Sequence, residues 1–430
     1  MKFQRYYIYL IITLALVLNW VVVSSGGFGR SSLNLGLLPK KSLIIIELFQ
    51  ALILAYVLLK YKKLKFPLIS IVTIGLFVVF NLIVHQINGY EVTVWVSGLR
   101  HYFSFVPILL LGYALGSIGY EIKSEFKLLM ILLFLQVPVS TVQYLSIKAL
   151  VKGSDVSVFD VVSGTMGGSA TNLLATLLSI GIVYFLILFL NKRKPKFLLG
   201  AFILIVPTVL GSAKGMYIIL VIISIYLMKA YKASLKNIIL LSLVYVTIVF
   251  GFIFLYSSLE AGKTLDVEFL TKYAQEDSGR GRLSRIESIT NAFDIIFDEQ
   301  SPLFGMGIGS ANTNPLGEDA EYNDPFIIRH SIDRLIIETG FLGLFFLTLI
   351  IGYMYMISRR VSKQIPDYQQ FNKDITLLVS SMIIVFAIAL FWDDILFRVQ
   401  FMYPFGLLTG YVLGMYYRLT KSKNIYNQII

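Results

Sequence analysis

At 430 residues, 57% of them hydrophobic and 14% charged, with a mean hydropathy of +0.77, the chain carries more apolar surface than a soluble fold of this length can hide, and a multi-span membrane protein is expected. On such a chain the net charge of +12 records orientation in the bilayer rather than affinity for nucleic acid. The absence of cysteine excludes disulfides, thiolate nucleophiles and Cys-ligated metals.

Lys2 and Arg5 precede an apolar run, Tyr6 to Ser24, that is long for a signal peptide and has no small-residue cleavage site after it; it is read as a first span that stays in place. Apolar runs of spanning length follow at 42–60, 66–86, 101–118, 127–148, 169–190, 197–212, 215–230, 237–257, 331–357, 375–392 and 395–417. The expected architecture is therefore all-α, a polytopic protein with about twelve transmembrane helices and one large external loop containing an amphipathic helix. Residues 1–257 hold about nine of the spans, 258–330 the loop, and 331–430 about three more. Alternate connections are basic ("KYKKLK", "NKRKPK", "MKAYKASLK", "SRRVSKQ", "YRLTKSK"), which places both termini in the cytoplasm and the loop outside. The cytoplasmic connections leave no room for a nucleotide-binding domain, and no G-x-x-x-x-G-K-[ST] motif is present.

Asn19, Glu47, Asn81, His85 and Asn172 all fall in the outer halves of their helices in this orientation, and Arg100 and His101 sit at an outer helix mouth. One reading is chance with snorkelling near the interface; the other is a hydrated cavity open to the outside.

The loop is too long for an idle connection. Its segment "SGRGRLSRIESITNAFDIIF" (278–297) has helical periodicity, with Leu283, Ile286, Ile289, Phe293, Ile296 and Phe297 on one face. A helix lying on the membrane surface is expected. Arg282 falls within the apolar arc and Arg285 on its edge, so these arginines either snorkel to lipid headgroups or face an anion. In "SPLFGMGIGS" (301–310), Gly305, Gly307 and Gly309 alternate, which suits backbone that bends tightly or passes close to something. The likeness to a nucleotide loop is superficial. The acidic stretch "LGEDAEYND" (316–324) reads as a solvated loop, with a divalent-cation site as the alternative.

"IIRHSIDRLIIETGFLGLFF" (327–346) opens a membrane helix with concentrated charge. Arg329 can pair with Asp333 and Arg334 with Glu338, each one turn apart. His330 is left without an obvious local partner. A neutral imidazole there suits a general base, the alternative being a helix cap.

The order "SGRGRLSRI … SPLFGMGIGS … RHSIDRLIIETGFLGLFFL" resembles the O-antigen ligase and O-antigen polymerase family, whose long external loop carries an Arg motif, a P-L-x-G-x-G turn and a H-[NS]-x-x-L-x-x-x-x-G-x-x-G helix start. The likeness is close over about 278–346. Upstream, "GTMGGSATNLLATLLSI" (164–180) looks like the family's G-T-x-x-x-x-N-x-x-A helix. "GSAKGMY" (211–217) sits where the family has a Ser-Arg-Gly turn, with Lys214 in place of the Arg. Lysine still meets phosphate, as a point charge rather than a bidentate fork.

The resemblance implies a glycosyltransferase of the cytoplasmic (inner) membrane with its active site facing outside. Its donor would be an oligosaccharide on a lipid pyrophosphate, and its acceptor a glycan hydroxyl. Membrane lipids surround it, with a flippase and a chain-length regulator as candidate partners. The acceptor displaces the lipid pyrophosphate with inversion, without metal or other cofactor. In agreement, the first external loop "SGGFGRSSLNLGLLPKK" has no Asp or Glu. His330 would be the base, and Arg282 and Lys214 would meet the leaving group. Arg285, Arg100, Arg334, Arg329 and Glu338 would contact substrate. Polymerisation of repeat units is the preferred activity. Ligation to another acceptor is the alternative, and transport of lipid-linked glycan is a second alternative from another class.

Overall fold

The computed structural model describes residues 2–21, 44–61, 68–150, 162–167, 170–211, 213–231, 285–311, 322 and 330–429, with the single positions or pairs 239, 242–243, 245–246 and 250. Every regular element among them is helical. In chain order these are α1 (Lys2–Val21), α2 (Ile44–Lys60), α3 (Leu68–Ile87), α4 (Val92–Phe103), α5 (Val106–Ile118), α6 (Lys123–Leu150), α7 (Thr171–Lys192), α8 (Pro195–Leu210), α9 (Lys214–Tyr231), α10 (Arg285–Asp298), α11 (Ser331–Gln364), α12 (Gln370–Ala389) and α13 (Val399–Ile429).

Five helical stretches are long and apolar enough to cross a membrane: 92–118, 123–146, 171–192, 331–364 and 370–389. The chain is on this ground a membrane protein. Helices also occupy the other expected runs apart from 237–257, which lies largely outside the described residues. Shorter apolar helices account for several of these, so the described residues hold five clear spans where about twelve are expected from composition.

Sequence decides which helix is central. α7 is apolar all round, and 89% of its apolar window is buried; the window of α11, apolar mainly beyond residue 340, is 39% buried. A helix without a polar face belongs inside a bundle or against lipid, and α7 packs against α8, α12 and α9.

The most extensive helix pair is α5 with α13. Glycines spaced four apart make it: a Cβ on Gly112 would strike the Leu407 carbonyl, one on Gly116 the Tyr411 carbonyl, one on Gly410 the Leu109 carbonyl and one on Gly414 the Tyr113 carbonyl. Backbone-to-backbone approach of this kind is how helices associate where lipid is as apolar as the side chains.

The two ends of the bundle differ. At one end Asn191, near the end of α7, donates to Asp374 near the start of α12 (2.6 Å), beside Lys192 and the basic last turns of α9 and α11. At the other end the starts of α9 and α11 meet the connection between α12 and α13.

Candidate active site

His330 is the N-cap of α11, in an extended conformation (φ −132°, ψ 161°). Asp333, three residues on, accepts its backbone N–H at 3.1 Å through Oδ2, as a carboxylate at this helical position does. The same oxygen lies 3.0 Å from His330 Nδ1 and accepts the Ser288 hydroxyl at 2.7 Å. All three residues are buried. Where the carboxylate is ionised it only accepts, and the tautomer with the proton on Nδ1 then bonds to it and leaves the lone pair on Nε2. The expectation that His330 lacks a local partner is thus corrected: Asp333 is that partner, because a cap residue and the third residue of its helix lie side by side.

The expected pair of Arg334 with Glu338 is replaced. Arg334 donates to Asp394 (2.9 Å) and lies 4.8 Å from the centre of the Phe397 ring. Glu338 instead accepts the Ala311 backbone N–H at 3.1 Å. A pair one turn apart on an exposed helix is worth only about 0.2–0.5 kcal/mol, too little to hold groups that neighbouring elements can engage in the interior. Arg329 and Arg282 lie outside the described residues, and so does any pairing of Arg329 with Asp333. Lys214 opens α9 and Arg285 opens α10, but their side chains lie outside what is described. Arg100 is exposed on α4, and together with Arg334, Asp394 and Arg398 it contributes to the field at His101.

α10 packs against the first half of α11. Its buried side is Ser288, Ala292 and Ile296, while Ile286 and Phe297 are 63% and 55% exposed. The docked face is thus displaced from the apolar arc read in the sequence. Small side chains let the two helices approach, and the aromatic arc partly remains outside, with Phe293 and Phe297 against Phe341 (5.5 and 6.1 Å between centroids).

The alternating glycines splint α11. At Gly340 the helix breaks (φ 58°, ψ −156°), a conformation essentially restricted to glycine. The break frees helical backbone groups, and the loop takes them up. Met306 N–H donates to the Ile337 carbonyl (2.7 Å) and Gly307 N–H to Glu338 (2.9 Å); Phe341 and Leu342 N–H donate to Pro302 and Leu303 (both 3.0 Å). Gly305 must lack a side chain, since a Cβ would lie 2.6 Å from the Ile337 carbonyl oxygen. On its other side the loop presses on α4, where a Cβ on Gly98 would lie 2.5 Å from the Gly309 nitrogen.

Residues 390–398 close the site. Ser331 N–H donates to the Asp393 carbonyl (3.2 Å), and Leu396 N–H donates to the Ser331 hydroxyl (2.9 Å). The Trp392 indole fills the space beside Gly215, one residue into α9. Behind it Gly211 abuts Thr171 and the Val162 carbonyl. The turn at 163–165 is held by α6: Gln143 Oε1 accepts Gly164 N–H (2.8 Å) and Gln136 Oε1 accepts Thr165 N–H (2.9 Å). The start of α9 is linked through Trp392 and Asp393 to the His330 cap.

Not all polar residues flagged from the sequence join this centre. Asn81 donates to the Phe77 carbonyl of its own helix (2.9 Å), and His85 Nε2 lies 2.6 Å from the Glu91 carbonyl. These serve local backbone rather than a cavity. Asn172 is half-buried at the start of α7, and the side chains of Asn19 and Glu47 lie outside the described residues. The acidic stretch 316–324 is likewise outside them except for Tyr322, whose hydroxyl donates to Glu299 (3.0 Å). Among the described residues no three His, Asp or Glu side chains are grouped to hold a metal.

Sequence reasoning missed Ser288, Trp392, Asp393, Asp394, Arg398, Gln136 and Gln143. The glutamines had a signal, being seven apart on one face of an apolar helix. Compared with known proteins, the chain matches no family model and no curated protein.

Proposed function

We propose that the protein is a membrane glycosyltransferase that polymerises oligosaccharide repeat units carried on a lipid pyrophosphate, at the outer face of the cytoplasmic membrane. One observation carries the reading. Three segments that follow one another along the chain, α10, the 301–311 loop and the first half of α11, pack as one unit that includes the buried His330. They are the segments whose order suggested the reaction.

In the proposed step a hydroxyl of the acceptor glycan attacks the anomeric carbon of the donor. The new C–O bond forms as the bond to the pyrophosphate oxygen breaks, its electron pair leaves with the phosphate, and the hydroxyl proton passes to His330 Nε2. One displacement inverts the anomeric centre. The leaving group needs positive charge where negative charge develops. Arg282 and Lys214 are the proposed partners, with Arg285 and Arg100 beside them. The start of α9 at Lys214 adds its helix dipole. Arg334 and Glu338 act as framework, through Asp394 and Ala311. The twelve-span topology, with both termini cytoplasmic and residues 258–330 outside, belongs to this proposal.

The test is reconstitution. Purified protein in liposomes should convert a defined lipid-pyrophosphate oligosaccharide to longer lipid-linked glycans and free lipid pyrophosphate. Transfer only to a different acceptor would make it a ligase. Translocation without covalent change would overturn the enzymatic reading. A cysteine placed at Glu318 should react with an impermeant thiol reagent on cells with an intact inner membrane; labelling only after lysis would overturn the topology.

A further inference from the structure

We propose that Asp333 and Ser288 are positioning residues that fix the tautomer and aim of the His330 imidazole. This rests on the reading of His330 as the base. Capping asks that the carboxylate accept the His330 backbone N–H and that the His330 side chain meet the Asp333 backbone N–H, and both contacts are present. Here a single oxygen, Oδ2, accepts three donors: the His330 N–H at 3.1 Å, its Nδ1–H at 3.0 Å and the Ser288 hydroxyl at 2.7 Å. Two of them are side chains, and one comes from α10. A carboxylate is costly to bury unless its hydrogen bonds are made, and these bonds tie ring, carboxylate and α10 into one buried unit.

The geometry also decides what Ser288 does. Its Oγ is 3.3 Å from His330 Nδ1 but 2.7 Å from Asp333 Oδ2. The shorter bond takes the hydroxyl proton, and Nδ1 is already protonated toward the same carboxylate. In that tautomer the ring offers Ser288 no lone pair, and the histidine does not activate this serine as a nucleophile. Instead Ser288 steadies the carboxylate. Asp333 in turn leaves Nε2 as the ring's proton acceptor and faces the positive charge that the ring acquires when it takes the acceptor's proton. Asp333 is thus a local counter-charge for the imidazolium, the service a carboxylate gives an imidazole base in acyl transfer.

The test uses the full-length protein in liposomes with a defined lipid-pyrophosphate oligosaccharide, measuring turnover, KM and donor binding separately. Asp333→Asn retains size and capping ability but loses the charge and the single tautomer. Its kcat should fall about a hundredfold or more, with KM and donor binding within about twofold. Ser288→Ala, which keeps the carboxylate, should lower kcat about tenfold, roughly the weight of one hydrogen bond, and Ser288→Thr should restore part of that loss. Added to His330→Ala, Asp333→Asn should cause no further loss, because there is no ring left to position. A folded Asp333→Asn with near-normal kcat, or one whose loss adds in full to that of His330→Ala, overturns the proposal. If Asp333→Asn does not fold, Ser288→Ala decides: an unchanged kcat overturns it. An inactive wild type would instead defeat the underlying enzymatic reading, and an inactive His330→Ala beside a normal Asp333→Asn would leave that reading standing without the positioning pair.

Discussion

The two halves of α11, on either side of the break at Gly340, have opposite solvation. Before Gly340, Asp333 and Glu338 are fully buried; after it, Phe345 and Tyr353 are each 57% exposed, and Leu349, Ile350 and Met356 are about half exposed. In water both halves would be inside out. In lipid the second half needs no cover, because its backbone is satisfied within the helix and its side chains match the solvent. The first half survives because each carboxylate has a specific donor: His330 and Ser288 for Asp333, Ala311 for Glu338. Along α11, burial therefore marks the half that carries the carboxylates, and apolar exposure marks the half that faces lipid.

Substitutions can break or sharpen that contrast. The largest stability effect is expected at the junction. Gly340→Ala would put a Cβ 2.6 Å from the Pro302 carbonyl oxygen in a glycine-only conformation, at a cost of about 3 kcal/mol. Gly352→Ala in the second half meets nothing within 4 Å and should change stability by no more than about 1 kcal/mol. Thermal unfolding in detergent separates the two, and equal effects would dissolve the junction's special status. Next is Glu338→Leu, which leaves the Ala311 N–H buried without this acceptor and should cost about 2 kcal/mol; Leu349→Ala on the lipid face should stay within about 0.5 kcal/mol. Arg334→Met removes the contact with Asp394 and should cost about 1 kcal/mol, between an exposed and a buried ion pair.

The smallest effect depends on pH. Burial pushes the Asp393 carboxyl above the usual carboxylate range, against the pull of Arg398 and the Asp394 N–H. The folded state thus favours the neutral acid. Stability from this group is full below the ordinary carboxylate value of about 3.9 and declines as pH rises through the raised folded value. Asp393→Asn should therefore unfold at a slightly higher temperature than wild type at neutral pH, with the difference closing toward acid. A difference independent of pH would contradict the assignment.

Much of the helical layout was legible because apolar runs of spanning length leave little else for the backbone to form. The helix over 278–297 was legible in its periodicity, and α10 spans Arg285–Asp298; its docked face was not, since Ser288 and Ala292 are small and carry little hydrophobic signal. The glycine turn was readable as a close approach but not as the splint of Gly340, because its partners lie about thirty-five residues further along the chain. His330 stood out by residue type. Its link to Asp333 was obscured by a competing pairing of Asp333 with Arg329, and Arg334 found Asp394 on a connection that nothing local points to. The α5–α13 glycines went unread because four-residue spacing becomes a contact only once the facing helix is known.

The central claim is that the buried polar half of α11 presents His330 to a glycan hydroxyl. The most direct measurement compares His330→Ala with wild type for turnover on a defined lipid-pyrophosphate oligosaccharide, with donor binding and thermal unfolding measured in parallel. The account predicts turnover lower by about two to four orders of magnitude, with donor binding and folding nearly unchanged. Turnover within about threefold of wild type in a folded His330→Ala protein would contradict it, leaving His330 as the cap of a helix and nothing more.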